Sequence, residues 1–84
     1  MTRAEMLDKL RRILVEHFEI DGARVGEESR LVDDLGLDSI DGIDISARLR
    51  PWTGRKMTDE EIRSLRTVGD VVDTWARIRG EGRP

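Results

Sequence analysis

The 84-residue chain contains no cysteine, which excludes disulfides, thiolate metal sites and thiol nucleophiles. Aromatic residues make up only 4% of it and charged residues 39%, a balance that suits a small helix-rich domain. No apolar run approaches the length of a membrane span. The first ten residues, MTRAEMLDKL, lack the continuous apolar segment of a signal peptide. The expectation is a single cytoplasmic domain with a modest core and no membrane insertion.

The net charge of −3 conceals an asymmetry. Residues 1–20 balance four bases against four acids, residues 21–44 set eight acids against two bases, and residues 45–84 set nine bases against six acids. The negative charge therefore gathers around Ser39. It is either a solvated loop or a patch that steers partners of opposite sign.

Leu7, Leu10, Leu14 and Phe18 recur at three- and four-residue intervals, with Met6 and Ile13 beside them, the apolar face of an amphipathic helix. Thr2 with Glu5 three residues on reads as a capping box, so the helix is expected from about residue 3 to 19, with Gly22 marking its end. Residues 22–38 form a long connection, which Val25, Leu31, Val32, Leu35 and Leu37 are expected to anchor. A second helix should start at Ser39 on an Asp38 N-cap and stop near Leu49 or Arg50, because Pro51 cannot continue a helix interior. Thr58 with Glu61 starts a short helix through about Leu65. Thr67 with Asp70 precedes a last helix whose apolar face is Val68, Val71, Val72, Trp75 and Ile78. Residues 80–84 read as a frayed tail. The fold class is all-α: a four-helix bundle of three main helices and a short third one, with a long first loop.

The second helix carries two apolar stripes, Ile40, Ile43 and Ala47 on one side and Ile45 and Leu49 nearly opposite, with Asp41, Asp44 and Arg48 between them. Either it is buried on two sides, or one stripe is offered to a partner or an apolar guest. Ser39 falls on its first turn, where backbone N–H groups lack intrahelical partners and the dipole is positive. That position suits a bound phosphate. It does not suit a self-activated nucleophile, which needs a base within reach, and the only histidine, His17, lies on the first helix.

Residues 31–44, LVDDLGLDSIDGID, resemble the acyl carrier proteins of fatty acid and polyketide synthesis. The family motif, an acidic-Leu-Gly-x-Asp-Ser-Leu step, stands here as Asp34, Leu35, Gly36, Leu37, Asp38, Ser39 and Ile40. The resemblance runs from about residue 5 to 79 and implies a carrier domain over 1–79, with 80–84 as a flexible C-terminal tail. It implies that Ser39, beside Asp38, takes 4′-phosphopantetheine from coenzyme A through a phosphopantetheinyl transferase. The thiol of that arm would carry acyl groups as thioesters, and the chain itself would not catalyse. The resemblance further implies a monomer that docks ketosynthases and acyltransferases through Asp34, Asp38, Asp41 and Asp44, with Ile40, Ile43 and Ala47 as apolar contacts and Arg48 among the partner-facing residues.

Aryl, D-alanyl and peptidyl carriers share the bundle and the modified serine, but peptidyl carriers usually show Gly-Gly-x-Ser. A DNA-binding helical module should be strongly basic, whereas this chain is acidic, so no nucleic-acid partner is expected. Asp33 to Asp44 spans the twelve positions of a calcium loop, but Leu35 and Leu37 occupy ligand positions and the last position is not Glu; no metal site is expected. Against the family pattern, Arg48, Arg50, Arg55 and Lys56 invert the sign expected for the second half of the acidic face, and Gly42 sits inside the second helix. The departure in charge implies a carrier serving a dedicated polyketide, aryl polyene or unusual lipid pathway. Arg48→Glu with Arg50→Glu should then change which ketosynthase accepts the chain, and equal kinetics for variant and parent across several synthases would contradict this.

Overall fold

The computed structural model describes residues 1–81. Four helices follow in order: α1 (Arg3–Phe18), α2 (Ser39–Thr53), α3 (Asp59–Ser64) and α4 (Val68–Glu81), with a 3₁₀ turn at Gly22–Arg24 between the first two. α4 packs against both α1 and α2, and α3 leans on α2. Among the described residues there is no strand, only an isolated antiparallel bridge between Arg30 and Thr67, and no helix is long and apolar enough to cross a membrane.

Each helix starts where a side chain takes over an orphaned backbone donor. The Thr2 hydroxyl accepts from the Glu5 N–H while the Glu5 carboxylate accepts from the Thr2 N–H. Thr58 and Glu61 repeat the device, as do Thr67 and Asp70 at 3.1 and 3.0 Å. Helix ends follow different rules. α1 stops on Glu19 in the left-handed region, φ 55°, and not at Gly22, which opens the 3₁₀ turn. α2 does not stop before Pro51; it runs on to Thr53 and ends on Gly54 at φ 98°. Pro51 lies in the last turn, so only one intrahelical bond is forfeited. The residues beyond it are anchored: Trp52 lies 6.2 Å from Trp75, and the buried Thr53 hydroxyl donates to the Arg55 carbonyl.

The core is aliphatic around one aromatic. Leu10, Leu14, Leu49, Val68, Val71, Val72 and Trp75 are all buried, which joins the stripes of α1 and α4 to one stripe of α2. Among the described residues the Trp75 indole N–H has no acceptor, a local cost of about 1–3 kcal/mol set against a ring that buries a large apolar area. The long connection is packed down through Val25, Leu31 and Leu37, with Leu35 packed against the core. Val32 departs from the expected anchors, since it is 67% exposed. Backbone bonds fasten the connection to the start of α4: Leu31 N–H to the Arg66 carbonyl, Val68 N–H to Ser29, and Gly69 N–H to Glu27.

One ionic cluster ties the second half together. The Arg55 guanidinium donates to both oxygens of Glu61, at 2.8 and 3.1 Å, and to both of Glu81, at 3.0 and 2.9 Å. Arg77 adds a bond of 3.2 Å to Glu61. Arg55 is thus committed internally instead of presenting the docking charge expected of it. Gly80 and Glu81 belong to α4, and Glu81 to this clamp, where a tail was expected; the remainder of the expected tail, 82–84, lies outside the described residues. The Arg55 guanidinium, chiefly, holds the Glu61 carboxyl down at about 2 against an ordinary 4.5, and the Thr58 backbone N–H adds to this. A carboxyl with a depressed folded value stabilises fully above its unfolded value and loses that contribution as pH falls from about 4.5 through about 2. Glu61→Gln should therefore cost about 1–2 kcal/mol at neutral pH, an amount discounted for the half-exposed cations. It should also flatten the loss of stability below pH 4.5, read as the urea midpoint against pH. An acid limb identical to the parent's would contradict the clamp.

α3 can approach α2 closely because position 42 has no side chain. A Cβ there would lie 3.0 Å from Ile62 Cγ2, so the glycine, costly to the helix by about 1 kcal/mol, sets the spacing between these helices. Gly42→Leu should force α3 outward and destabilise the chain by about 1–3 kcal/mol. Adding Ile62→Ala should restore part of that loss in urea titrations. A double variant no more stable than Gly42→Leu alone would place the strain elsewhere.

Candidate functional site

α2 begins where Asp38 caps it. The Asp38 carboxylate accepts from the Asp41 N–H at 3.0 Å, and the Asp41 carboxylate accepts from the Asp38 N–H at 3.0 Å. This second half of the box was not read from the sequence, although the three-residue spacing that signals it is present. Gly36, at φ 68°, turns the chain so that Leu37 enters the core while Asp38, Ser39 and Ile40 face outward. Ser39 is thereby the first residue of α2, exposed, with no hydrogen bond to its hydroxyl among the described residues. The other three serines differ: the Ser64 hydroxyl donates to the Glu61 carbonyl. Ser46 is buried and accepts from the Met57 N–H, and the Ser29 hydroxyl donates to the Arg24 carbonyl.

The acidic residues divide by task. Asp34 is partly committed to the loop: its carboxylate accepts from the Arg30 N–H at 2.7 Å and lies 3.5 Å from that residue's guanidinium. The backbone bond, chiefly, holds it below the ordinary carboxylate range. Asp38 and Asp41 serve the cap. Asp44 pairs with Arg48 at 2.9 Å along α2. All four sit on or just before the first half of α2, so their summed field surrounds Ser39 even though Asp34 and Asp44 are each paired with an arginine.

The two apolar stripes of α2 have separate fates. Ile45 and Leu49 are buried, whereas Ile40 and Ile43 are 73% and 50% exposed, so the second stripe faces solvent beside Ser39. Ala47 is exposed too, but with Arg48 it lines a groove against α1, roughly 12 Å along the helix from Ser39 at 1.5 Å per residue. His17 lines that same groove, away from the serine. Sequence reasoning missed a cleft of about 260 Å³ beside Ser39, walled by Leu31, Leu37, Gly42, Ile62 and Leu65 with Arg63 and Arg66 at its edge. The only signal for it was the glycine inside α2.

A hydroxyl on the first turn of a helix, open to solvent and next to free backbone N–H groups, can bear a phosphodiester. It lacks the neighbouring base that would make it a nucleophile of its own. Comparison with known proteins agrees with this chemistry. The family model described as "Phosphopantetheine attachment site" matches residues 8–75. "Acyl carrier protein 2" of Ralstonia nicotianae is 49% identical over 72 residues, covering 86% of this chain and 89% of that protein. The acyl carrier protein of Thermotoga maritima is 37% identical over 71 residues, covering 84% and 88%. A crystal structure of an acyl carrier protein from Thermotoga maritima superposes with a TM-score of 0.81 at 32% identity, covering 94% of this chain and 92% of that one. The solved structure of an acyl carrier protein from Enterococcus faecalis gives a TM-score of 0.72 at 34% identity, covering 92% of this chain and 98% of that one. The chain therefore belongs to the acyl carrier protein family, whose members are carriers bearing phosphopantetheine.

Proposed function

We propose that Ser39 is the residue that receives 4′-phosphopantetheine, and that the chain is the substrate of a phosphopantetheinyl transferase. The observation that carries this reading is the exposed, unbonded Ser39 hydroxyl at the start of α2, with Ser46 buried and Ser29 engaged. The transfer joins the serine oxygen to the phosphorus of the pantetheine phosphate and releases adenosine 3′,5′-bisphosphate from coenzyme A, with the serine proton lost to solvent or to the transferase. The free N–H groups of the first turn and the dipole offset the phosphodiester charge. Once bound, the arm supplies a thiol for thioester transport, chemistry that belongs to the prosthetic group.

Acyl-handling enzymes dock on the first half of α2. Asp38, Asp41 and Asp44 steer basic patches toward it, and the exposed Ile40 and Ile43 contribute the apolar contact that persists after encounter. Individual surface pairs are weak, so the steering lies in their sum. Arg48, further along the helix, distinguishes enzymes that tolerate a cation there from those that require an acid, which favours a dedicated set of ketosynthases and acyltransferases in a fatty acid, polyketide or specialised lipid pathway. The protein acts in the cytoplasm as a monomeric carrier.

Incubation of the unmodified chain with coenzyme A and a broad-specificity transferase should add the mass of one phosphopantetheine group. Ser39→Ala should add none while keeping its helical circular dichroism. Addition to the alanine variant, or to another serine by peptide mapping, would overturn the assignment.

A further inference from the structure

The far half of α2 and the middle of α1 enclose an open groove of about 450 Å³ whose chemistry is opposite to that around Ser39. α1 contributes Lys9, Arg12, Ile13, Glu16 and His17, one stripe at helical spacing, and α2 contributes Ala47, Arg48, Pro51 and Trp52. Trp52 is 37% exposed, and the Lys9 ammonium stands 5.1 Å above its ring, a cation–π contact that partly screens the indole. Arg12 and Arg48 have weak or exposed ties, to Asp8 at 3.6 Å and to Asp44 at 2.9 Å. An exposed tryptophan with arginines around it is the composition of a binding hot spot.

We propose that this groove, floored by Trp52, Pro51 and Ala47 and rimmed by Lys9, Arg12 and Arg48, is a second docking surface that receives an acidic helical segment of a partner protein. Charge complementarity selects the occupant. The stripe from Lys9 to His17 runs two turns, roughly 12 Å, the footprint of a short helix laid in a groove. An anionic membrane or a nucleic acid would present its charge over a wider area. It would then meet the acids of residues 21–44 and of the α1 surface, including Asp8 and Glu16, in a chain of net charge −3. A local acidic segment avoids them. Glu16 fixes its register, because a neutral or basic residue must lie opposite. The surface does not depend on Ser39 being loaded, so it is testable on the unmodified chain, and its failure would leave the phosphopantetheine assignment untouched.

The probe is a synthetic amphipathic peptide of about 15 residues with one leucine stripe and glutamates elsewhere; the control peptide has lysine for glutamate. Saturable binding of the acidic peptide is expected, with amide shifts confined to residues 9–17 and 47–52 and a change in tryptophan emission. Trp75 is buried, so Trp52→Phe should remove the emission change. Lys9→Glu with Arg12→Glu should weaken binding by about tenfold or more while phosphopantetheine loading and the urea midpoint stay near parental values. Several outcomes would overturn the proposal: no saturable binding, shifts centred on residues 33–44, or equal affinity for the control peptide or the double variant. So would stronger binding to phosphatidylglycerol vesicles, or concentration-dependent self-association that produces the same shifts.

Discussion

Helix starts in this chain are set by reciprocal bonds between residues three apart, and the rest of the structure hangs on them. The core holds one buried tryptophan amid aliphatic side chains, and such side chains slide past one another more readily than large rings interlock. What fixes where each helix begins is the capping box, worth about 1 kcal/mol at each end, present at Thr2, Asp38, Thr58 and Thr67. At Asp38 this local bond has a functional result. A shift of one residue would rotate α2 by about 100° and carry Ser39 off the exposed first turn.

The ionic contacts separate structural from available charge. Arg55 serves two carboxylates at once and closes the loop after α2 onto α3 and α4. Arg3 does the same at the other end, bonding Glu27 and Asp73 and so fastening the first helix to the long loop and the last helix. With these two arginines engaged, basic side chains open to partners include Lys9, Arg12 and Arg48 on the seam between α1 and α2 and Arg63 and Arg66 at the edge of the Ser39 cleft.

The periodicity of α1 and α4 and the polar residues before each helix were enough to read the bundle, because one side chain and its neighbour three residues on decide a helix start locally. Helix ends were less legible. Pro51 should stop α2 by its own chemistry, but the tilted packing of Trp52 against Trp75, from a helix more than twenty residues later, anchors the turn that continues past it. Val32 looked like an anchor beside Leu31, and only the path of the loop shows that it points outward. At the site, Ser39, Asp38 and the outward stripe of Ile40 and Ile43 were visible in sequence. The cleft under α3 was not, since it exists through the approach of Ile62 to Gly42. Ala47 continues that exposed stripe, but α1 comes alongside this part of the helix, so with Arg48 it borders the groove between the two helices, which periodicity within α2 alone does not reveal.

α2 contains a glycine and a proline, two residues that an isolated helix tolerates poorly. Its ionic order compensates. Aspartates at 38, 41 and 44 stand toward the end where the peptide dipoles leave positive charge, and Arg48 and Arg50 toward the end where they leave negative charge. The polarity that gives the protein two differently charged faces is therefore also the polarity that favours this helix, and a carrier descended from it could not exchange its two ends electrostatically without loosening the segment that presents them.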